Sequence, residues 1–269
     1  GPGVQRMLKF AKYLPELGWK PIILTVKNGE YPTLDESLMS EVNNECEIFK
    51  TKSWEPNRLY KKFLKKDPNA PLPIAAVAKS DGSWKQKLSR WIRLNLFIPD
   101  AKIGWKYYAV KEGKKIIDKY KPDLILSSSP PPTVHLIAQK LSKKYKIPWI
   151  ADFRDPWTNI YHYDNVKFFP LSKYFNKKLE NSVVKNCSAA VTVSNCLPEI
   201  IGEEKYRDKF SVIPNGYDFD IIPHISSQKK EKIVILHTGK LVDTQNPVSL
   251  WRALEKIIRH NPKIKEKLI

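Results

Sequence analysis

Short apolar runs that alternate with helix-length amphipathic stretches constrain this chain more than any other feature. The runs are strand-sized, and they lie at residues 21–26, 123–127, 148–152, 189–193, 211–213 and 233–237. Their near-continuous apolar character is typical of central strands that helices cover on both faces. Because strands and helices alternate, the sequence predicts an α/β fold built on a doubly wound parallel sheet.

Two of the intervening stretches carry clear helix signals. The first has an apolar face, and Gly18 follows it where a C-terminal cap is expected; the face is formed by Val4, Met7, Leu8, Ala11 and Leu14. The second runs over residues 104–120 and ends before Lys121-Pro122. Each pattern predicts a helix that packs against the sheet.

Two changes in composition indicate how the chain is organised. Residues 53–83 hold several prolines among many lysines, which predicts a long surface excursion. Residues 222–232 are polar and read as a linker. We therefore predict a Rossmann-like domain at 1–216, a linker at 217–231, and the beginning of a second Rossmann-like domain at 232–269. The first helix lacks a preceding strand and the last unit cannot bury its own strand, so we expect the chain to be a fragment.

Composition excludes several classes of protein. The hydrophobic fraction of 42% is too high for a disordered chain, and no apolar run approaches the roughly 20 residues of a membrane span. The three cysteines show no metal-ligand spacing and the five histidines no paired motif, so we expect reduced thiols and no bound metal.

The net charge of +19 comes mostly from lysines scattered over the predicted helices. One interpretation is solvated helix faces. Another is attraction to an anionic membrane surface or to a phosphate-bearing substrate. Specific nucleic-acid binding is the weakest interpretation, because arginine is the usual residue for reading bases and phosphates.

Glycines and arginine at the N-terminus form the first candidate site. Gly1 and Gly3 let the backbone pass close to a ligand, and the helix that follows presents free N–H groups to an anion; Arg6 belongs to the same motif. An ordinary loop is the alternative. A second candidate is the strand end at Ser128 and Ser129, which leads through three prolines to a helix that carries His135 in its first turn. Here the alternative is that the serines only satisfy loop backbone groups.

The third candidate is the most specific, and it reads Asp-Phe-Arg-Asp-Pro-Trp at 152–157. Charges at the end of a buried strand are costly unless they are paired or in use. Asp152 or Asp155 is predicted to pair with Arg154, to orient a hydroxyl, or to act as a base. The alternative is a structural ion pair that closes the loop. Trp157 either stacks on a sugar ring or anchors the loop.

Later strand ends carry weaker signals. Ser194 follows one apolar strand, and Asn215-Gly216 follows another as a turn that either faces a ligand or only leaves the domain. Gly239 and Lys240 follow the first strand of the second domain, where Lys240 is suited to neutralise a diphosphate. A plain strand–helix turn is the alternative there.

In this order the motifs resemble those of family-4 glycosyltransferases of the GT-B fold, above all Ser-Ser-Pro-Pro-Pro-Thr at 128–133 and Asp-Phe-Arg-Asp-Pro-Trp at 152–157. The resemblance implies two Rossmann-like domains, the first for the acceptor and the second for a nucleotide-diphosphate sugar, with retaining transfer and no metal or other cofactor. It places Gly1 and Gly3 beside the donor phosphates. It places Asp152, Arg154 and Asp155 near the acceptor hydroxyl, and Lys240 at the departing diphosphate.

Two departures from the family pattern stand out. Residues 243–246 read Asp-Thr-Gln-Asn where a second basic residue is common, and the acidic donor motif would lie beyond Ile269. We therefore expect this chain alone to bind donor poorly and not to turn over.

The expected function is sugar transfer to a glycan or lipid-linked acceptor of a bacterial envelope or exopolysaccharide. The expected location is the cytoplasm, at the inner face of the plasma membrane, with no specific nucleic-acid partner. A non-catalytic module that binds glycans or a membrane surface is the alternative, and a nucleic-acid binder is a third reading that rests on charge alone.

Overall fold

The computed structural model describes residues 2–27, 29, 38, 41, 46–54, 88, 91–92, 94–159, 168–217, 232–238 and 246–267. Most of the predicted excursion at 53–83, nearly all of the linker, and Gly1, Gly239 and Lys240 lie outside these residues. By its internal contacts the chain divides into two units, Gly1–Gly216 and Tyr217–Ile269.

The first unit contains two parallel sheets. Strands β1 (Ile22–Val26) and β2 (Glu47–Thr51) form one sheet. The other has four strands in the order β3-β4-β5-β6, and all neighbouring strands run parallel; these strands are Ile125–Ser129, Trp149–Phe153, Ala189–Thr192 and Phe210–Val212. The predicted α/β architecture with parallel strands is confirmed. Sequence analysis missed β2, whose charged residues break the apolar run that marks central strands.

Helices fill the connections between the strands. They are α1 (Pro2–Tyr13), α2 (Trp105–Tyr120), α3 (Thr133–Tyr145), α4 (Pro170–Asn186) and the short α5 (Leu197–Ile200). Short 3-10 turns lie at Pro15–Leu17 and Glu204–Lys209. Gly18 ends the first of these turns with φ at 80°, a left-handed conformation that glycine adopts without steric cost.

Two apolar clusters hold this unit together. The first joins β4 to α4, with Trp149, Phe153 and Val183 fully buried. The second lies between α2 and α3, and it also receives Leu24 of β1 and Ile125 of β3. The same helix pair therefore covers both sheets. Burying one apolar side chain of this size stabilises the fold by roughly 1.5–3 kcal/mol.

The second unit shows less regular structure in its described residues. It has helices α6 (Val248–His260) and α7 (Pro262–Lys267). The strand predicted at residues 233–237 does not form: only an isolated bridge is present at Ile233, whose N–H donates to the carbonyl of Lys267 at 2.7 Å. Ile233 and Leu236 are 49% and 78% exposed, because among the described residues no strand or helix covers this segment.

Candidate functional site

The predicted site residues of three separate motifs meet at the carboxyl ends of β3 and β4. The register of the two strands places Ser128 opposite Asp152 and Ser129 opposite Phe153. Helix α1 reaches the same edge through Arg6. Carboxyl ends of parallel strands share one edge of a sheet, and this is the edge where α/β proteins bind ligands.

A buried ion pair lies at the centre of this group. Arg6 grips the Asp152 carboxylate with two nitrogens: Nη2 lies 2.9 Å from Oδ1 and Nε lies 3.2 Å from Oδ2. The Ser128 hydroxyl donates a third hydrogen bond to Oδ2 at 2.6 Å. The two charged side chains are only 2% and 1% exposed. Each charge compensates the other, which a buried charge requires.

Arg6 also holds the turn that follows β6. Its Nη1 donates to the carbonyl of Pro214 at 3.2 Å and to Oδ1 of Asn215 at 3.3 Å. One guanidinium therefore connects α1, the end of β4 and the 214–215 turn. This geometry gives Arg6, Ser128 and Asn215 roles in positioning Asp152 and α1.

Arg154 is held from one side only. Its Nε donates to the carbonyl of Ser129 at 3.0 Å and its Nη2 to the carbonyl of Pro130 at 2.8 Å. Among the described residues, Nη1 has no hydrogen-bond partner. Burial and the charge of Arg6 lower the pKa of Arg154, while Asp152 and Asp155 act in the opposite direction. An arginine remains cationic under such a shift, so Nη1 offers a charged donor.

Gly3 lies directly against this free donor. A Cβ atom built on Gly3 would come within 1.2 Å of Nη1 of Arg154. The absence of a side chain is therefore what lets α1 pass this close to the guanidinium. The first turn of α1 and a cationic donor are adjacent as a result.

Asp155 contrasts with Asp152. It is exposed, and it forms no hydrogen bond or ion pair with the described residues. A carboxylate in this state is available to accept a hydrogen bond from a ligand hydroxyl. Asp155 is therefore the solvent-exposed carboxylate of the 152–157 motif.

Comparison with known proteins decides the family. A sequence model described as Glycosyltransferase Family 4 matches residues 3–221. The chain belongs to this family. No curated protein gives a match to this glycosyltransferase chain.

His135 and Trp157 of the glycosyltransferase, both predicted to bind substrate, are buried. His135 is 0% exposed, its Nδ1 lies 2.8 Å from the Ser127 hydroxyl, and its ring packs 4.5 Å from that of Phe153. Burial and the charge of Arg154 lower its pKa to about 3, which keeps the ring neutral. Trp157 is 5% exposed and donates from Nε1 to Asn176. The geometry favours roles in packing for both, and their contact with substrate stays a prediction.

The other predicted residues of the glycosyltransferase site are Ser129, which is buried, two exposed residues, and three that lie outside the described residues. Ser194 is exposed just after β5, and Ser129 is buried and serves Arg154 through its carbonyl. Gly216 is exposed, and a Cβ there would meet nothing within 4 Å. Gly1, Gly239 and Lys240 fall outside the described part of the chain.

Sequence reasoning missed two acids that shape the loops around the site, the half-buried Asp100 and the buried Glu180. Asp100 caps α3: its Oδ2 accepts the Thr133 N–H and the Thr133 hydroxyl, each at 2.8 Å. Burial raises its pKa, against the effect of these bonds. Glu180 of α4 accepts the N–H and hydroxyl of Thr158, next to Trp157, and so fixes the end of the 152–157 motif. Neither acid stands in a motif, so nothing in the sequence marks them.

The described residues contain no group of three or more His, Cys, Asp or Glu side chains arranged to hold a metal ion. Within the same ranges, no helix is both long and apolar enough to cross a membrane.

Proposed function

We propose that this glycosyltransferase domain binds the acceptor of a retaining, metal-independent enzyme. The enzyme would transfer a hexose from a nucleotide-diphosphate sugar to a glycan or lipid-linked acceptor of a bacterial envelope or exopolysaccharide. Family membership supports the sugar transfer itself. The observation that carries the finer proposal is the contact of Gly3 with the free Nη1 of Arg154 at the carboxyl edge of the sheet.

That contact supports an anionic ligand. The first turn of a helix presents unpaired N–H groups and a partial positive charge. Arg154 adds a full positive charge beside Gly3, with one nitrogen that no described residue occupies. The two together are suited to phosphate oxygens of the donor, and they stabilise the negative charge that develops when the diphosphate leaves. In this proposal cationic groups, with Lys240 from the second domain, serve where other enzymes use a metal.

The acceptor role falls to Asp155. Its exposed carboxylate is suited to accept a hydrogen bond from the sugar hydroxyl that attacks, and so to orient it. Asp152 acts through Arg6 and not on the substrate, since its oxygens already accept three hydrogen bonds. In this proposal Asp155 contacts the substrate hydroxyl, whereas Asp152, three residues earlier, has a positioning role through Arg6.

Sugar transfer by the native full-length protein tests this assignment. We expect Asp155→Asn and Lys240→Ala each to lower kcat by about 10²-fold while the melting temperature stays within about 2 °C, because positioned polar groups typically contribute effects of this size. Asp123→Asn is the matched control: Asp123 is exposed before the amino end of β3, at the opposite edge of the sheet.

Wild-type kinetics in both variants would remove these residues from the mechanism. No turnover of any nucleotide sugar by the wild-type protein would instead favour a module that binds glycans or a membrane surface. A location at the inner face of the plasma membrane belongs to the same proposal, and the net charge of +19 supports it.

A further inference from the structure

A groove of about 440 Å³ lies between α2, α3 and α4, apart from the candidate site. Its polar lining consists of Lys106, Gln139, Lys140, Ser142, Lys143, Ser182 and Asn186. None of these residues belongs to the group around Asp152 and Arg154. The groove is open to solvent, and the side chain of Leu136 contributes an apolar patch to its wall.

The charge of the groove is uncompensated. Three ammonium groups line it, from Lys106, Lys140 and Lys143, and its lining contains no carboxylate. None of the three forms an ion pair with any residue that the structure describes. Burial and the charge of Lys140 lower the pKa of Lys106, which shows that the two cations are close enough to repel each other. An anion placed between them would remove that repulsion.

The neutral groups of the groove leave one further donor. Gln139 Nε2 donates to both the carbonyl and the hydroxyl oxygen of Ser182 at 3.0 Å, and Asn186 Nδ2 donates to the same carbonyl at 2.7 Å. Both amide groups are therefore committed to Ser182, and the Ser142 hydroxyl donates to the carbonyl of Ile147 at 2.7 Å. The Ser182 hydroxyl accepts from Gln139 and, at 3.4 Å, from Asn186, and its own hydrogen has no acceptor among the described residues. It is free to donate to a ligand oxygen.

We propose that this groove is a second anion site that binds a phosphate group. Lys106, Lys140 and Lys143 neutralise the phosphate dianion, and the Ser182 hydroxyl donates to one of its oxygens. Three ammonium groups around one cavity match the multiple charge and the several acceptor oxygens of phosphate better than the single charge of a carboxylate. The site is distinct from the donor site, since the two share no residue, and it does not depend on the proposed function.

Titration calorimetry with inorganic pyrophosphate at low salt tests the site in solution, and vesicles test a lipid source. The vesicles contain phosphatidic acid in phosphatidylcholine, with pure phosphatidylcholine as reference. The test variant is Lys106→Gln with Lys140→Gln. The matched control is Lys111→Gln with Lys144→Gln, which removes the same charge from the same two helices outside the groove lining.

We expect the test variant to weaken binding at least about tenfold and the control variant to change it less than about twofold, because only the first pair contacts the ligand. The same titrations in Arg154→Met separate the groove from the candidate site, since that variant keeps the groove intact. A loss with pyrophosphate identifies a soluble phosphate ligand. A loss with phosphatidic acid vesicles alone identifies a lipid headgroup.

Two results would overturn the proposal. One is an equal loss in the test and control variants, which would show that only net charge matters. The other is the absence of binding to both probes. Circular dichroism of each variant confirms that its fold is retained, and all four substituted lysines lie on helix surfaces where glutamine is well tolerated.

Discussion

The candidate site and the groove lined by Lys106, Lys140 and Lys143 differ in whether their charged side chains have a partner of opposite charge. At the carboxyl edge of the sheet, Arg6 and Asp152 are buried together and neutralise each other. In the groove, Lys106, Lys140 and Lys143 share one solvent-filled space without an acid in its lining. A charge taken out of water needs a partner inside the protein, whereas an exposed cation is solvated until a ligand arrives.

This difference distinguishes charged groups that hold the fold together from charged groups that are available to a ligand. The Arg6–Asp152 pair connects α1, β4 and the 214–215 turn, so it determines the shape of the site more than its chemistry. Arg154 lies between the two extremes: two of its nitrogens donate to carbonyl groups, and the third has no hydrogen-bond partner among the described residues. We infer that a ligand of the candidate site engages the partly satisfied groups, Arg154 and Asp155, and leaves the satisfied pair undisturbed.

The largest effect is expected from removing one charge of the buried pair. Asp152→Asn keeps the shape of the side chain but leaves Arg6 buried without a counter-charge, and it should lower the free energy of unfolding of the first unit by about 3–5 kcal/mol. Urea unfolding followed by tryptophan fluorescence measures this. Asp155→Asn, at an exposed position three residues away, should change it by less than about 0.5 kcal/mol.

The double variant Arg6→Met, Asp152→Leu sharpens the same test. If the cost comes from an uncompensated charge, the apolar pair should lose less stability than either single removal of a charge. Equal decreases in the free energy of unfolding in Asp152→Asn and Asp155→Asn would contradict this contrast, because the two carboxylates would then contribute equally to stability.

His135 provides the next largest effect, since it lies behind the site as a buried group that stays neutral. Its pKa is about 3 in the folded protein and 6.5 in an ordinary environment, so between these values the unfolded chain binds more protons. The stability that neutral His135 confers is therefore fully present above pH 6.5. It is lost as the pH falls toward 3, by up to about 1.4 kcal/mol per pH unit.

His135→Gln should flatten that pH dependence, because glutamine does not titrate. Unfolding free energies at pH 7, 6, 5 and 4.5, compared with those of wild type, measure the change in slope. An unaltered slope in His135→Gln would show that this ring is accessible to protons in the folded state.

Local pattern was enough to predict the parallel α/β fold but not the contacts of the site. Strands β3 to β6 are short apolar runs, and their positions were predicted within two residues. Strand β2 was missed because Glu47 and Lys50 interrupt the apolar run that marks the other strands. The strand predicted at residues 233–237 is absent because, within the part of the chain that the structure describes, no strand lies beside this apolar run.

Contacts between residues far apart in the sequence are the part of the site that the sequence motifs did not predict. The 152–157 motif pointed to an ion pair, but the partner of Asp152 is Arg6, which lies 146 residues away in the sequence. Nothing in the local pattern specifies a contact over that separation. In the same way His135, predicted at a binding surface from its place in the first turn of α3, faces the core because Ser127 and Phe153 surround it.

The smallest of these effects concerns Gly3, and it separates binding from stability most cleanly. In Gly3→Ala the new methyl group occupies the position of Nη1 of Arg154, so the guanidinium must move away from α1. Alanine is the better helix former by about 1 kcal/mol, which offsets the cost of moving a flexible side chain, and the melting temperature should stay within about 2 °C. Sugar transfer by the full-length protein should nevertheless fall about tenfold, since the cationic donor is no longer beside the first turn of α1.

Val4→Ala alters an exposed neighbour on the same helix and should change neither the melting temperature nor the rate of sugar transfer. A fully active Gly3→Ala would mean that Arg154 lies beside α1 only because of packing. Asp155 would then be the remaining charged group of this motif that is available to a ligand.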